Sequence, residues 1–165
     1  MSLAEFVFSE TCPTTASGAG PSINPVTGGG TSGGTSGSVW TAAWPLSDYD
    51  TLEIEAELVG STGGTTDVYV QSSSNGTDWY DCVHFPQLAN GASAIIYRTA
   101  ITRHPQPTSA APVVIGKNSS PQLAASTTVQ GGWGDRLRLW MVPGATVTVG
   151  GAVTVKVNAA RSTQR

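Results

Sequence analysis

Three glutamates, Glu53, Glu55 and Glu57, stand two residues apart, the spacing that sets carboxylates side by side on one face of a strand. Such a comb could hold a cation or supply a carboxylate pair for acid–base work. As a solvent face, its like charges would instead discourage pairing with other strands, and this is the reading the sequence favours. His84 closes an apolar segment and His104 precedes Pro105 in a loop, so neither has a second ligand at metal spacing. Cys12 and Cys82 lie far apart and belong to no metal-spaced cluster, so they read as two reduced thiols. Asp78 and Asp81 flank Trp79-Tyr80 without the ligand series of a calcium loop. Gly131-Gly132-Trp133-Gly134 lacks the downstream Lys-Ser/Thr of a phosphate loop and reads as a turn. No serine sits in Gly-x-Ser-x-Gly. No catalytic set assembles, and the expectation is a protein that is not an enzyme and needs no cofactor or metal.

Aromatic side chains are the remaining signal. Most of the tryptophans and tyrosines are expected to fill the core or subunit interfaces, and Trp40, Trp44, Trp79, Tyr80 and Trp133, with Phe6 and Phe8 near the N-terminus, are the residues expected to bind a partner. Exposed tryptophans on a sandwich could stack on sugar rings, so a carbohydrate-binding module is the rival reading. It expects one or two of Trp40, Trp44, Trp79 and Trp133 to lie exposed in a row.

These residues must be placed by strands. Leu52, Ile54, Ala56 and Leu58 alternate with the glutamates, a period of two that a helix would scatter. Val68 and Val70 alternate with Asp67, Tyr69 and Gln71, and Asn75-Gly76 then signals a hairpin into residues 78–85. Residues 92–101 read as a strand with Ile96 and Arg98 opposite in facing to Ile95 and Tyr97. Val113-Val114-Ile115 makes a short strand after a Pro-rich loop. Leu137, Leu139 and Met141 point one way, Arg136, Arg138 and Trp140 the other, and Val153, Val155 and Val157 line a last strand. About seven to nine short antiparallel strands give an all-β fold, a β-sandwich or jelly roll.

The organisation is an N-terminal arm (1–16), a Gly/Ser/Thr-rich linker (17–38) and one sandwich domain (39–165). The arm carries a short strand over residues 3–8. The linker cannot bury enough apolar surface to offset its ordering entropy, and stretched it reaches about 70 Å. The arm is therefore expected to dock on a neighbouring subunit by adding to a sheet edge, the competing account being that it completes its own sheet. Net charge is −3 and charged residues are 12% of the chain, against nucleic-acid binding, which needs clustered Lys and Arg. No run reaches the roughly 18–20 apolar residues of a membrane span, and the N-terminus does not read as a secretory signal.

Residues 67–85, Asp-Val-Tyr-Val-Gln-Ser-Ser-Ser-Asn-Gly-Thr-Asp-Trp-Tyr-Asp-Cys-Val-His-Phe, followed by Gly134-Asp135-Arg136-Leu137-Arg138-Leu139, resemble a pattern of small virion structural proteins of tailed phages. There a strand ending in Gln-Thr/Ser-Ser passes through a Gly turn to Asp/Thr-Trp-Tyr/Val-Asp. A Gly-Asp-Arg-Leu-Arg strand and a valine-rich strand follow. The match covers about a third of the chain, and the Gly-rich linker departs from the pattern. The resemblance implies a capsid decoration (cement) protein, or else a neck, tail or fibre component. It further implies the major capsid protein or other virion proteins as partners and a dimeric or trimeric assembly. The protein would be made in the bacterial host cytoplasm and end on the capsid exterior.

Overall fold

The computed structural model describes residues 49–75, 77–103, 123–134, 136–144, 147–148 and 150–161, and of residues 3–11 the backbone. The linker, Trp40, Trp44, Cys12, His104 and Val113-Val114-Ile115 lie outside the described residues. Eight strands are found among those described: β1 (Leu3–Thr11), β2 (Thr51–Leu58), β3 (Thr66–Ser73), β4 (Tyr80–His84), β5 (Ile95–Thr102), β6 (Thr127–Thr128), β7 (Arg136–Pro143) and β8 (Ala152–Ala160). They form two four-stranded sheets, ordered β1-β8-β2-β5 (sheet A) and β6-β4-β3-β7 (sheet B), and every pairing is antiparallel. The all-β expectation holds for the described residues, which contain no helix.

Alternation sets the faces. Leu52, Ile54, Ala56 and Leu58 of β2 and Val153, Val155, Val157 and Ala159 of β8 turn inward from sheet A. Val68 and Val70 of β3 and Leu137, Leu139 and Met141 of β7 turn inward from sheet B. Together with Ile101, Val83, Phe85, Leu88 and Trp133 they make one apolar cluster between the sheets. A core shared by two sheets in this way is what makes each half-apolar strand stable in water.

The N-terminal strand pairs with β8 of its own chain over nine residues, from Leu3 opposite Ala160 to Thr11 opposite Ala152. The arm thus completes its own sheet here, where a neighbour's sheet edge was the expected dock. It also runs to Thr11, three residues past the expected end. The physical reason is that β8 is Val-rich and central, and without β1 its outer side would leave a full row of peptide groups unpaired.

Turn chemistry follows the sequence with one difference. The hairpin at Asn75 is not a two-residue turn: six residues separate β3 from β4. Asn75 Oδ1 accepts from the backbone N–H of Thr77 and of Asp78, each at 2.8 Å, so the asparagine side chain acts as a local cap that turns the chain. At Gly134 the chain passes so close to the Ser73 backbone that any Cβ would collide with it. Its N–H meets Ser72 Oγ at 2.7 Å.

Candidate functional site

Sheet B places its polar residues on the face turned away from the core. Asp67, Tyr69 and Gln71 come from β3, Asp81 and His84 from β4, and Arg138 and Trp140 from β7. Gln71 sits opposite Asp81 on one side and opposite Arg138 on the other. A shift of register between Val70 and Gln71 brings the Asp81 carboxylate to the glutamine, as a bulge re-aims a side chain.

The contacts form a chain. Arg138 Nε donates to Gln71 Oε1 at 2.6 Å, Gln71 Nε2 to Asp81 Oδ1 at 2.6 Å, and the Leu123 N–H to Asp81 Oδ2 at 2.9 Å. His84 Nδ1 donates to the Leu123 carbonyl at 2.7 Å, and its Nε2 lies 3.2 Å from Asp67 Oδ1. Gln87 Nε2 also reaches Asp67, at 3.0 Å. Both amide groups of Leu123 are thereby held, one by Asp81 and one by His84. Tyr69 stacks on the His84 ring at a centroid distance of 3.8 Å.

Around this chain the aromatics and arginines interlock. The Arg138 guanidinium lies 4.4 Å from the Trp79 ring centroid and 4.2 Å from that of Trp140, a cation held between two π-faces. Burial lowers its pKa to about 10, with Asp81 acting in the opposite direction. Burial, and then Asp67 and Asp81, raise the Tyr69 hydroxyl to about 12. The Cys82 thiol, free and buried, is pushed up to about 12 by burial and then by Asp81. It is therefore neutral near pH 7 and no nucleophile. In a second such contact Arg103 lies 4.4 Å over Trp133 and donates to the Tyr49 and Trp133 carbonyls at 2.8 and 3.2 Å.

The residues expected to bind a partner are separated by this structure. Trp79 and Trp133 are buried, at 4% and 7% exposure, while Tyr80 stands 42% exposed. Trp79 packs on Arg138, so it belongs to the interlock and offers no platform for a sugar. Tyr80 and Trp133 do meet, along an open groove of about 330 Å³ that also holds Ser73, Cys82 and Gly134. Phe6 and Phe8 fall in β1, described as backbone alone, and Trp40 and Trp44 lie outside the described residues. Of the four tryptophans among which the carbohydrate reading expects one or two exposed, Trp79 and Trp133 are buried.

The glutamate comb is on the outer face of sheet A. Glu55 takes Arg98 Nε at 2.6 Å and Lys156 at 3.9 Å, while Glu53 and Glu57 are exposed. No group of three or more His, Cys, Asp or Glu side chains converges among the described residues. The sequence reading missed the Asp81–Gln71–Arg138 chain and the clasp on Leu123. A glutamine and an arginine at facing positions of two apolar strands were the available signal. No family model, curated protein or solved structure matches the chain.

Proposed function

We propose that this chain is a non-catalytic β-sandwich subunit that works by contact with other proteins, as a decoration (cement) protein on the outside of a phage particle. One observation carries the non-catalytic part. The carboxylates, histidine and arginine that could do chemistry on sheet B are each bound within the chain through Gln71 and Leu123, with Asp81 and His84 buried and Asp67 and Arg138 half-buried. A buried network satisfied in this way rigidifies the fold, and its members would have to break two or more bonds each to meet a substrate.

The placement on a virion is supported by the motif resemblance of residues 67–85 and 134–139. It is also compatible with a jelly-roll reading of the strand order. The first strand lies beside the last, and the β2–β3, β4–β5, β5–β6 and β7–β8 connections pass between the sheets. Jelly rolls serve viral capsid and lectin domains alike, so the fold supports the placement without deciding it. The direct test is mass spectrometry of particles purified from lysates of the producing host. The expected result is this chain at a fixed stoichiometry to the major capsid protein. A chain found soluble in the lysate and missing from particles would overturn the reading.

A further inference from the structure

We infer that one edge of sheet A, strand β5, pairs with the same strand of a second copy of this chain, in the antiparallel register that sets Ile96 opposite Arg98. This concerns how copies meet one another and does not depend on whether they meet on a particle.

Main-chain direction comes first. The Val59 N–H donates to the Ala152 carbonyl at 2.8 Å, so odd-numbered residues of β2 face β8 and even-numbered ones face β5. Their partners on β5 are Ile95, Tyr97, Thr99 and Ile101. The peptide groups of Ile96, Arg98, Ala100 and Thr102 therefore point away from the sheet.

The far end of this edge is already closed. The Gln130 side chain imitates a strand, donating to the Ala100 carbonyl at 2.7 Å and accepting from the Thr102 N–H at 2.9 Å. Gly131, at a φ of 105° that favours glycine, donates its N–H to the Thr102 carbonyl at 3.0 Å. The near end differs. The outward N–H and C=O of Ile96 and Arg98 have no partner among the described residues. Ile96 is 59% exposed and Ile95 is exposed beside it.

An open edge without proline or bulge is a template for another strand. Natural edges are commonly blunted, so one half-capped by Gln130 and, among the described residues, left open over an isoleucine pair points to use.

Charge and register choose the occupant. On the outer face Glu57 lies opposite Ile96, and Glu55 opposite Arg98. A two-fold related β5 with Ile96 against Arg98 exchanges both peptide groups of each pair, giving four main-chain hydrogen bonds. It also extends the row so that Glu57, Ile96 and Arg98 of the second copy stand side by side. With strands about 4.8 Å apart, that arginine spans the isoleucine and reaches the glutamate. The Arg98 side chain is 78% exposed, and its present partner Glu55 has Lys156 as a second cation at 3.9 Å. The guanidinium can thus turn to Glu57 of the second copy while Lys156 keeps Glu55. Shifting the register by two residues would set Arg98 against Arg98 and need the Ala100 carbonyl that Gln130 occupies. Shifting by two in the other direction sets Ile96 against Ile96, puts the two Glu57 in one row and brings Arg98 to Ala94, so of these three registers the one with Ile96 against Arg98 pairs opposite charges.

Sedimentation velocity of the purified full chain over a concentration series tests this, with melting curves to confirm folding. The wild type should dimerise. Glu57→Arg, and separately Ile96→Lys, should each weaken the dimer about tenfold or more with an unchanged melting curve, because both sites are exposed. Glu57→Arg combined with Arg98→Glu should restore association. A wild type that is monomeric throughout, or a dimer that ignores both single variants, would overturn the proposal. So would a dimer lost only on deleting residues 1–11, which would locate the contact in exchange of β1. None of these results bears on the particle experiment above.

Discussion

The outer faces of the two sheets are built from the same alternation and meet opposite fates. On sheet A the outward positions of β2, β5 and β8 carry Glu53, Glu55, Glu57, Arg98 and Lys156, of which Glu55 pairs with Arg98 and Lys156 at the surface and Glu53 and Glu57 are exposed. On sheet B the outward positions carry Gln71, Asp81, His84 and Trp140, all buried, and clasp the chain at Leu123. Exposed ion pairs contribute little because water competes for each partner. Buried ones are costly to break, since a lost partner leaves the other desolvated and unmet. The difference teaches that outward-facing polarity on a strand does not specify solvent. What covers the face decides.

The largest effect should come from cutting the buried chain. Asp81→Ala leaves Gln71 Nε2 and the Leu123 N–H without their acceptor and removes the nearest carboxylate from Arg138. A loss of about 3–5 kcal/mol in chemical denaturation is expected. A loss below 1 kcal/mol would make the two outer faces equivalent. Ile54→Ala, on the inner face of β2, should cost about 2–5 kcal/mol by transfer and cavity terms together. It calibrates the network against ordinary core packing in the same assay.

A pH profile sharpens the comparison further. The Cys82 thiol is raised from its ordinary 9.0 to about 12, so the folded chain binds this proton more tightly than the unfolded chain. Its contribution is fully present below pH 9 and is lost as pH rises toward 12. Tyr69, raised from 10.0 to about 12, acts with the same sign above pH 10. Arg138, lowered from 12.5 to about 10, acts with the opposite sign between those values. Between pH 9 and 10 Cys82 dominates, since Tyr69 and Arg138 begin to titrate only as the pH approaches 10 and act with opposite signs. Stability there should fall by about 1 kcal/mol, approaching 1.4 kcal/mol per unit, and Cys82→Ala should flatten the slope. The smallest effect belongs to sheet A: Glu55→Ala should stay within about 0.5 kcal/mol. A larger change would mean that its pairs with Arg98 and Lys156 are shielded from water.

The strands were legible where one face is apolar and the other charged. Leu52 to Leu58 of β2 and Val153 to Val157 of β8 announce both their faces and their pairing by period two. The two-residue strand β6 was not legible, because Thr127 and Thr128 carry no alternation and pair only where β4 passes. Ile95 and Ile96 looked like part of a two-sided strand, and only the sheet order makes β5 an edge. For the candidate site, the burial of Trp79 and Trp133 could not be read from aromatic type. A tryptophan that fills a core and one that waits for a partner differ only in what lies above the ring. Here Arg138 and Arg103 lie there, each more than 50 residues or about 30 residues away along the chain. The hydrogen-bonded chain from Arg138 to Leu123 depends on the register slip at Val70 and Gln71, which no local pattern encodes.

The seating of β8 between β1 and β2 has a consequence for the order of events on the ribosome. Sheet A has no centre until residues up to Ala160 have been made, and at about 5–20 residues per second the first strand waits roughly 10–30 s for its neighbour. During that interval β1 has no neighbour and β2 has β5 on one side only. Sheet B has no such delay at its own centre, since β3 and β4 are consecutive and can close as soon as the turn at Asn75 forms. The nascent chain would therefore close the β3–β4 centre of sheet B first, with β7 joining it after residue 143 and the centre of sheet A forming only once β8 has emerged.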